Sequence, residues 1–342
     1  MSKKSIGIIG AGAIGLAIAA EYVFNGWRVL MAEADGFIHR LPPAGHYSYT
    51  GLSFKRGHLV EPVSVEVKTV SDYRELNQSE GVIVATTALA HEKLLARLAD
   101  LLNVSLPIVV ICGNGSTLAH LSTRALSAET STAPYGARIE GGDISVKVLT
   151  PKFGVAALSE KEGEIALEIL KAVYPEAFRF QRVADAILSN PNPLFHVSIM
   201  LANLTRIDRR ELFAFYAEGV TESVEQLIRA KDQERMVIAH ALGSSPVLFD
   251  DLEGAVQMEG LLVTQHFLEC GSYARVLAPT SVNNRYLTED VPYGLAVWEA
   301  LGKRETVPTP VISAEINQTS AILNRDLRNE VSRRTAAITE RA

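Results

Sequence analysis

Cysteine is scarce: Cys112 and Cys270 are the only two in 342 residues. One widely spaced pair makes no disulfide framework, and neither residue belongs to a Cys-x-x-Cys pair. The two read as inert thiols in a reducing compartment. Long apolar runs are missing as well. No stretch approaches the roughly 18 uninterrupted apolar residues that span a bilayer. The opening Met-Ser-Lys-Lys does precede an apolar run, but Gly7, Gly10, Gly12 and Gly15 break it. That suits a strand and a tight turn better than a secretion signal. Positive charge is not in excess: 33 Lys and Arg face 39 Asp and Glu, a formal net charge of −6. There is no dense basic stripe, which argues against nucleic acid and against an anionic membrane as partners. Internal repeats, low-complexity linkers and metal-ligand spacings are also missing. A soluble cytoplasmic protein without a metal is the expectation.

What is present is ordinary globular material, 47% hydrophobic and 21% charged, in a length that suggests two domains. Residues 5–9 read as a buried strand, Ala13–Phe24 as a helix of small residues stopped by Asn25-Gly26, and Trp27–Ala32 as a second strand. Such a βαβ unit forces a parallel sheet. Residues 36–66 read as an irregular connection with room for one strand pair. Strands are expected at 82–86, 107–112, 144–149 and 179–183, with a helix over His91–Leu102. The alternation ends near residue 184. Beyond it, 197–204, 218–242, 254–268, 293–301 and 311–323 carry helical spacing, and the charged tail from Asn324 reads as a solvated helix or frayed end. The predicted architecture is an α/β Rossmann domain over residues 1–184 followed by an all-α domain over 185–342.

The sharpest local signal is Gly10-x-Gly12-x-x-Gly15, placed between a strand and a helix. Gly10 permits the turn, Gly12 lets a pyrophosphate approach the backbone, and Gly15 lets helix and strand pack closely. The first-turn residues Ala13 and Ile14 carry amide groups that can meet phosphate at the positive end of the helix. Glu33, 18 residues after Gly15, ends the second strand where a carboxylate can accept from the adenosine ribose hydroxyls. It favours NAD over NADP, and Asp35 adds to that bias. NADP stays open, because Arg40 is within reach of a 2′-phosphate.

Three segments of the second half carry reactive side chains: Asn190-Pro191-Asn192-Pro193-Leu194-Phe195-His196, Tyr216 to Thr221 with Asp232 to Arg235, and Asn284-Arg285-Tyr286 to Gly294. Read alone, His196 is more often a packing residue than a catalyst, and Arg285 with Asp290 more often a surface ion pair. Together with the glycine fingerprint, Gly113-Asn114-Gly115 and Ala133 to Arg138, these segments resemble the opine dehydrogenase family, which has a helical domain akin to that of 6-phosphogluconate dehydrogenases. The resemblance covers nearly the whole chain. It implies reductive condensation of an amino acid's amine with a 2-oxo acid, using NAD(P)H and a site between the two domains. By position it makes His196 the acid/base, Asp290 its carboxylate partner, Arg285 the clamp on the oxo-acid carboxylate and Asn192 a substrate neighbour. An imidazole is the side chain best suited to proton exchange near neutral pH, and a guanidinium fork matches a carboxylate bidentately. A homodimer is left open.

Two other readings stand beside this one. A simple 2-oxo acid or ketopantoate-like reductase would use a lysine, and only Lys231 offers itself, on an ordinary helix. A nucleotide-sensing protein would need the glycine loop but not His196, Arg285 and Asp290. Residues 36–66 and 244–252 follow no pattern that assigns a substrate pocket.

Overall fold

The computed structural model describes residues 3–122, 124, 126–150, 152–248 and 273–341, without the side chains of 58–60. The helix read at 254–268, and Cys270, lie outside the described residues. Two compact units divide the chain, Met1–Ala186 and Ile187–Ala342.

The first unit holds twelve strands: β1 Ser5–Ile9, β2 Arg28–Ala32, β3 His46–Ser53, β4 Gly57–Glu66, β5 Lys68–Thr69, β6 Val82–Val84, β7 Ile108–Val110, β8 Ser127–Thr130, β9 Tyr135–Glu140, β10 Asp143–Leu149, β11 Gly154–Ala157 and β12 Phe178–Arg179. Eight form one sheet in the order β12-β11-β8-β7-β6-β1-β2-β5. Its neighbours run parallel except β8 and β11. From β1 the chain goes to β2 on one side, through helix α1 Ala13–Phe24, and later returns to β6 on the other. This Rossmann-type reversal opens a crevice at the carboxyl ends of β1 and β6, where such sheets bind ligands.

The other four strands form a second sheet, β4-β3-β10-β9. It explains why α1 is made almost entirely of apolar residues. The helix is buried continuously from Gly15 to Tyr22, as helices enclosed on every face are. The second sheet reaches it through Tyr47, whose hydroxyl donates to the Leu16 carbonyl at 2.6 Å. Glu21 accepts from the amides of Phe54 at 2.7 Å and Lys55 at 3.2 Å in the β3–β4 turn.

Several expectations need correcting here. Residues 36–66 do hold the one strand pair allowed for, β3 with β4, but it fills most of the segment. Residues 144–149 do form a strand, but in the second sheet. Of the strand read at 179–183 only Arg179 lies in a strand, the two-residue β12, and Val183 begins helix α5 Val183–Leu188. Strands β8, β9 and β11 went unread because they are short and lack clean alternation. Helices α2 Ala88–Leu101, α3 Ser116–His120 and α4 Glu160–Lys171 complete the unit. The last was overlooked despite a sequence signal: Ser159 accepts from the Glu162 amide while Glu162 accepts from the Ser159 amide, a reciprocal capping box.

The second unit is helical. Among the described residues its helices are α6 Pro191–Ala202, α7 Leu204–Asp208, α8 Glu222–Leu242, α9 Arg285–Thr288, α10 Ala296–Arg304, α11 Pro310–Leu323, α12 Leu327–Glu330 and α13 Ser332–Arg341. A π-type turn over Val291–Leu295 precedes α10. The tail is not a frayed end, since Arg334 and Ile338 of α13 are buried.

Candidate active site

In the first unit, Gly10 has φ +111° and a side chain there would run into the Ala85 carbonyl oxygen at 2.5 Å. The glycine loop and the loop after β6 therefore touch, and only glycine fits. A Cβ on Gly15 would meet the Gly10 carbonyl at 1.8 Å, which fixes the close turn. At Gly12 a Cβ would meet nothing within 4 Å. Gly12 is also the N-cap of α1, and no side chain caps that end. The amides of the first turn, at Ala13 and Ile14, thus face an open cradle of backbone, the arrangement that accepts a pyrophosphate.

Glu33 is buried at the end of β2. Its Oε2 accepts from the Ala11 amide and its Oε1 from the Ala34 amide, both at 2.7 Å. It braces the glycine loop, a task the sequence did not announce. Each carboxylate oxygen keeps lone-pair capacity for a further donor such as a ribose hydroxyl. Asp35 pairs with Arg97, and Arg40 lies over the Phe37 ring at 4.4 Å.

At the end of β7, Cys112 and Asn114 both have φ +52° and Gly115 has φ +82°. The fully buried Glu129 holds this contorted loop. It accepts from the amides of Gly115 at 2.6 Å and Thr117 at 3.0 Å, and from the Thr117 hydroxyl at 2.6 Å. Sequence reading missed Glu129, because a lone glutamate on an unread strand gives no signal.

In the second unit the helix read at 197–204 begins earlier, at Pro191. Asn190 is the N-cap, its side chain accepting from the Asn192 amide at 3.0 Å. Both prolines fall in the first turn, where a missing N–H leaves no intrahelical bond unmade. His196 then lies in the second turn, buried, with Asn192 one turn earlier on the same face.

Three groups surround the His196 ring. Its Nδ1 is 2.7 Å from Asp290 Oδ2. Its Nε2 is 2.9 Å from the Tyr216 hydroxyl. Tyr286 stacks on its face, ring centroids 3.8 Å apart and 25° between planes. Asp290 stands at the head of the π-type turn and is itself buried. That turn packs hard on α6: a Cβ at Gly294 would meet Pro193 Cγ at 2.2 Å. Glycine at 294 therefore lets the carboxylate reach the imidazole. Arg285 begins α9 on the surface, its guanidinium 5.2 Å from the Tyr286 ring centroid. His196 thus joins Asp290 through Nδ1 and Tyr286 through its ring face, and Arg285 lies near the same Tyr286 ring, with Asn192 one turn before His196 on α6.

Lys231 has a different setting. It is fully buried, and its Nζ donates to Glu315 Oε2 at 2.7 Å, Ser198 Oγ at 2.7 Å and the Pro193 carbonyl at 3.0 Å. Burial drives its pKa down, against the opposing pull of Glu315. All three ammonium protons are committed to partners that tie α8 to α6 and α11.

Comparison with known proteins divides along the same units. Residues 180–323 match the family described as NAD/NADP octopine/nopaline dehydrogenase, alpha-helical domain. Residues 6–138 match the family described as ketopantoate reductase PanE/ApbA. The opine dehydrogenase of Arthrobacter sp. (strain 1C) is 25% identical over 96% of this chain and 94% of its own length. The vitopine synthase of Allorhizobium ampelinum is 28% identical over 58% of this chain and 56% of its own. An octopine dehydrogenase solved with NADH and agmatine shares the fold at TM-score 0.72 and 16% identity, over 99% of this chain and 96% of that one.

Proposed function

We propose that this chain, which belongs to the opine dehydrogenase family, is an oxidoreductase acting on a CH–NH bond that joins the amine of an amino acid to a 2-oxo acid with NADH. The observation that carries the reading is the buried pair of Asp290 and His196, whose 2.7 Å bond fixes the ring through Nδ1 while Nε2 meets the Tyr216 hydroxyl.

The first unit fits a dinucleotide. Gly10, Gly12, Ala13, Ile14 and Gly15 would hold the pyrophosphate, and Glu33 the adenosine ribose. A carboxylate there repels a 2′-phosphate, so NAD is the assigned cofactor and NADP the weaker substrate. When bound, the nicotinamide supplies the hydride for reduction of the imine. The chain's own residues do the rest. His196 gives and takes the proton of the reacting oxygen. Asp290 holds the imidazole ring in one orientation and lies against the charge an imidazolium carries. Arg285 would grip the oxo-acid carboxylate with its planar fork, and Asn192 would line the same pocket. Positioning two substrates together supplies much of the rate.

The reading as a simple ketopantoate-like reductase is supported by the family match of residues 6–138 and by a shared fold over most of the chain. It needs an available lysine, and Lys231 is buried in its ion pair with Glu315. The test is a matrix of amino acids against 2-oxo acids, followed by nicotinamide absorbance with both cofactors. Oxidation that requires both substrates is expected. Full rate with the oxo acid alone would assign a simple reductase, and nucleotide binding without turnover on any pair would assign a sensor.

A further inference from the structure

The Tyr216 hydroxyl occupies the one ring nitrogen of His196 that Asp290 leaves for chemistry, 2.9 Å from Nε2. The placement is built, not incidental. Residues 213–215 are pinned to 276–278 by Phe215 N donating to the Val276 carbonyl at 2.7 Å and Ala278 N donating to the Phe213 carbonyl at 3.0 Å. The Tyr273 ring meets the Tyr216 ring edge-on at 5.1 Å. Phe215 meets it at 5.0 Å from the other side of the chain. The phenol is buried to 6% exposure. A hydroxyl fixed this way can pass a proton in either direction, since it donates and accepts at once.

The chemistry of condensation asks for such a group. The amine arrives as an ammonium. Forming the C–N bond and expelling the oxygen as water removes two protons from nitrogen and places two on oxygen, so no net proton is consumed before reduction. A single imidazole would have to serve two atoms on opposite sides of the new bond.

We propose that Tyr216 is a catalytic residue that forms a proton relay, Asp290–His196–Tyr216, with the phenol in contact with the oxygen that leaves as water. This role rests on the condensing activity proposed above. Neutral His196 first takes a proton from the ammonium through Tyr216, which frees the amine's electron pair. As the amine attacks, the carbonyl π pair moves to oxygen and takes the phenol proton. The phenol's O–H bond breaks while the Nε2–H proton of the imidazolium replaces it. Tyr216 ends unchanged and His196 ends neutral, ready to take the second proton from the nitrogen of the adduct, which is cationic after the attack. The second proton reaches oxygen by the same path as the C–O bond breaks.

The test uses the full-length enzyme on its best amino acid and oxo-acid pair. Tyr216→Phe is expected to lower kcat by about 10²-fold or more, with the KM for NADH unchanged. A fluorinated tyrosine placed at 216 alone keeps the shape and makes the phenol more acidic. It is expected to move the alkaline limb of the kcat profile to lower pH, which a packing role would not do. A Tyr216→Phe enzyme within about threefold of wild type, or a fluorinated enzyme with an unmoved profile, overturns the relay. If Tyr216→Phe does not fold, the fluorinated profile decides alone. Wild-type enzyme silent on every pair would bring down the condensing activity and this role together. An active wild type with an indifferent Tyr216 removes only the relay.

Discussion

At the residue scale, the proposed site hangs on one imidazole with a separate partner on each nitrogen. His196 and Asp290 are 94 positions apart and Tyr216 is 20 positions from His196. Such groups act as a unit, so their removal is not additive. His196→Ala and Asp290→Asn are each expected to reduce kcat by about 10²–10⁴-fold. The double variant is expected to be little worse than His196→Ala alone. Steady-state kinetics on the three proteins checks this. Effects that simply multiplied would mean that the two residues do not work through one another. The residue types at 196, 285 and 290 were legible from their motifs. Tyr216 was visible as a letter in one of the segments, but nothing in its neighbours told that its hydroxyl would meet Nε2.

At the element scale, α6 is the part that everything else positions. The Gly294 turn presses on it from one side. Lys231 ties its Pro193 carbonyl and Ser198 hydroxyl to Glu315 on α11 from another. A fully buried ion pair is weak evidence of stability in itself, but losing one partner strands a charge in the core. Lys231→Met is therefore expected to destabilise the protein by about 3–5 kcal/mol. Lys231→Met combined with Glu315→Met is expected to recover a large part of that loss. Denaturant unfolding of both variants measures the difference, and a double variant as damaged as the single one would contradict the ion-pair account. The long helices α1, α8 and α11 were legible because their composition, periodicity and stop signals agree. Strands β8, β9 and β11 were not, since four to six residues without alternation hold no period.

At the scale of the whole molecule, acid stability has an identifiable source. Glu299 is nearly buried on α10, and burial pushes its pKa up. Hydrogen bonds from Arg328, Ser313 and Lys303 outweigh that and bring it down from 4.5 to about 2. Arg328 contributes two of them, at 2.6 and 2.7 Å. A carboxylate depressed in the folded state stabilises the fold above its unfolded pKa. That stability is lost as pH falls through the folded value, here between pH 4.5 and about 2. Its size is about 3 kcal/mol. Glu299→Gln is expected to be less stable at neutral pH and to have a flatter Tm profile across that window. A variant whose acid limb matches wild type would show that the carboxylate is not the source. Among the described residues, no helix is long and apolar enough to cross a membrane.

The sequence by itself determined the order of the architecture, a glycine-loop α/β unit and then a helical one, along with the residue types from which the proposed site is drawn. Those properties are local, since a turn, a cap or an amphipathic period is set by neighbours a few positions apart. Tertiary structure alone decided the second sheet that encloses α1, the bracing of the glycine loop by Glu33, the isolation of Lys231 and the meeting of Tyr216 with His196. Each of these depends on contacts between groups far apart in the chain, and a hydrogen bond lasts only over a few tenths of an ångström, a distance that packing sets and local pattern does not.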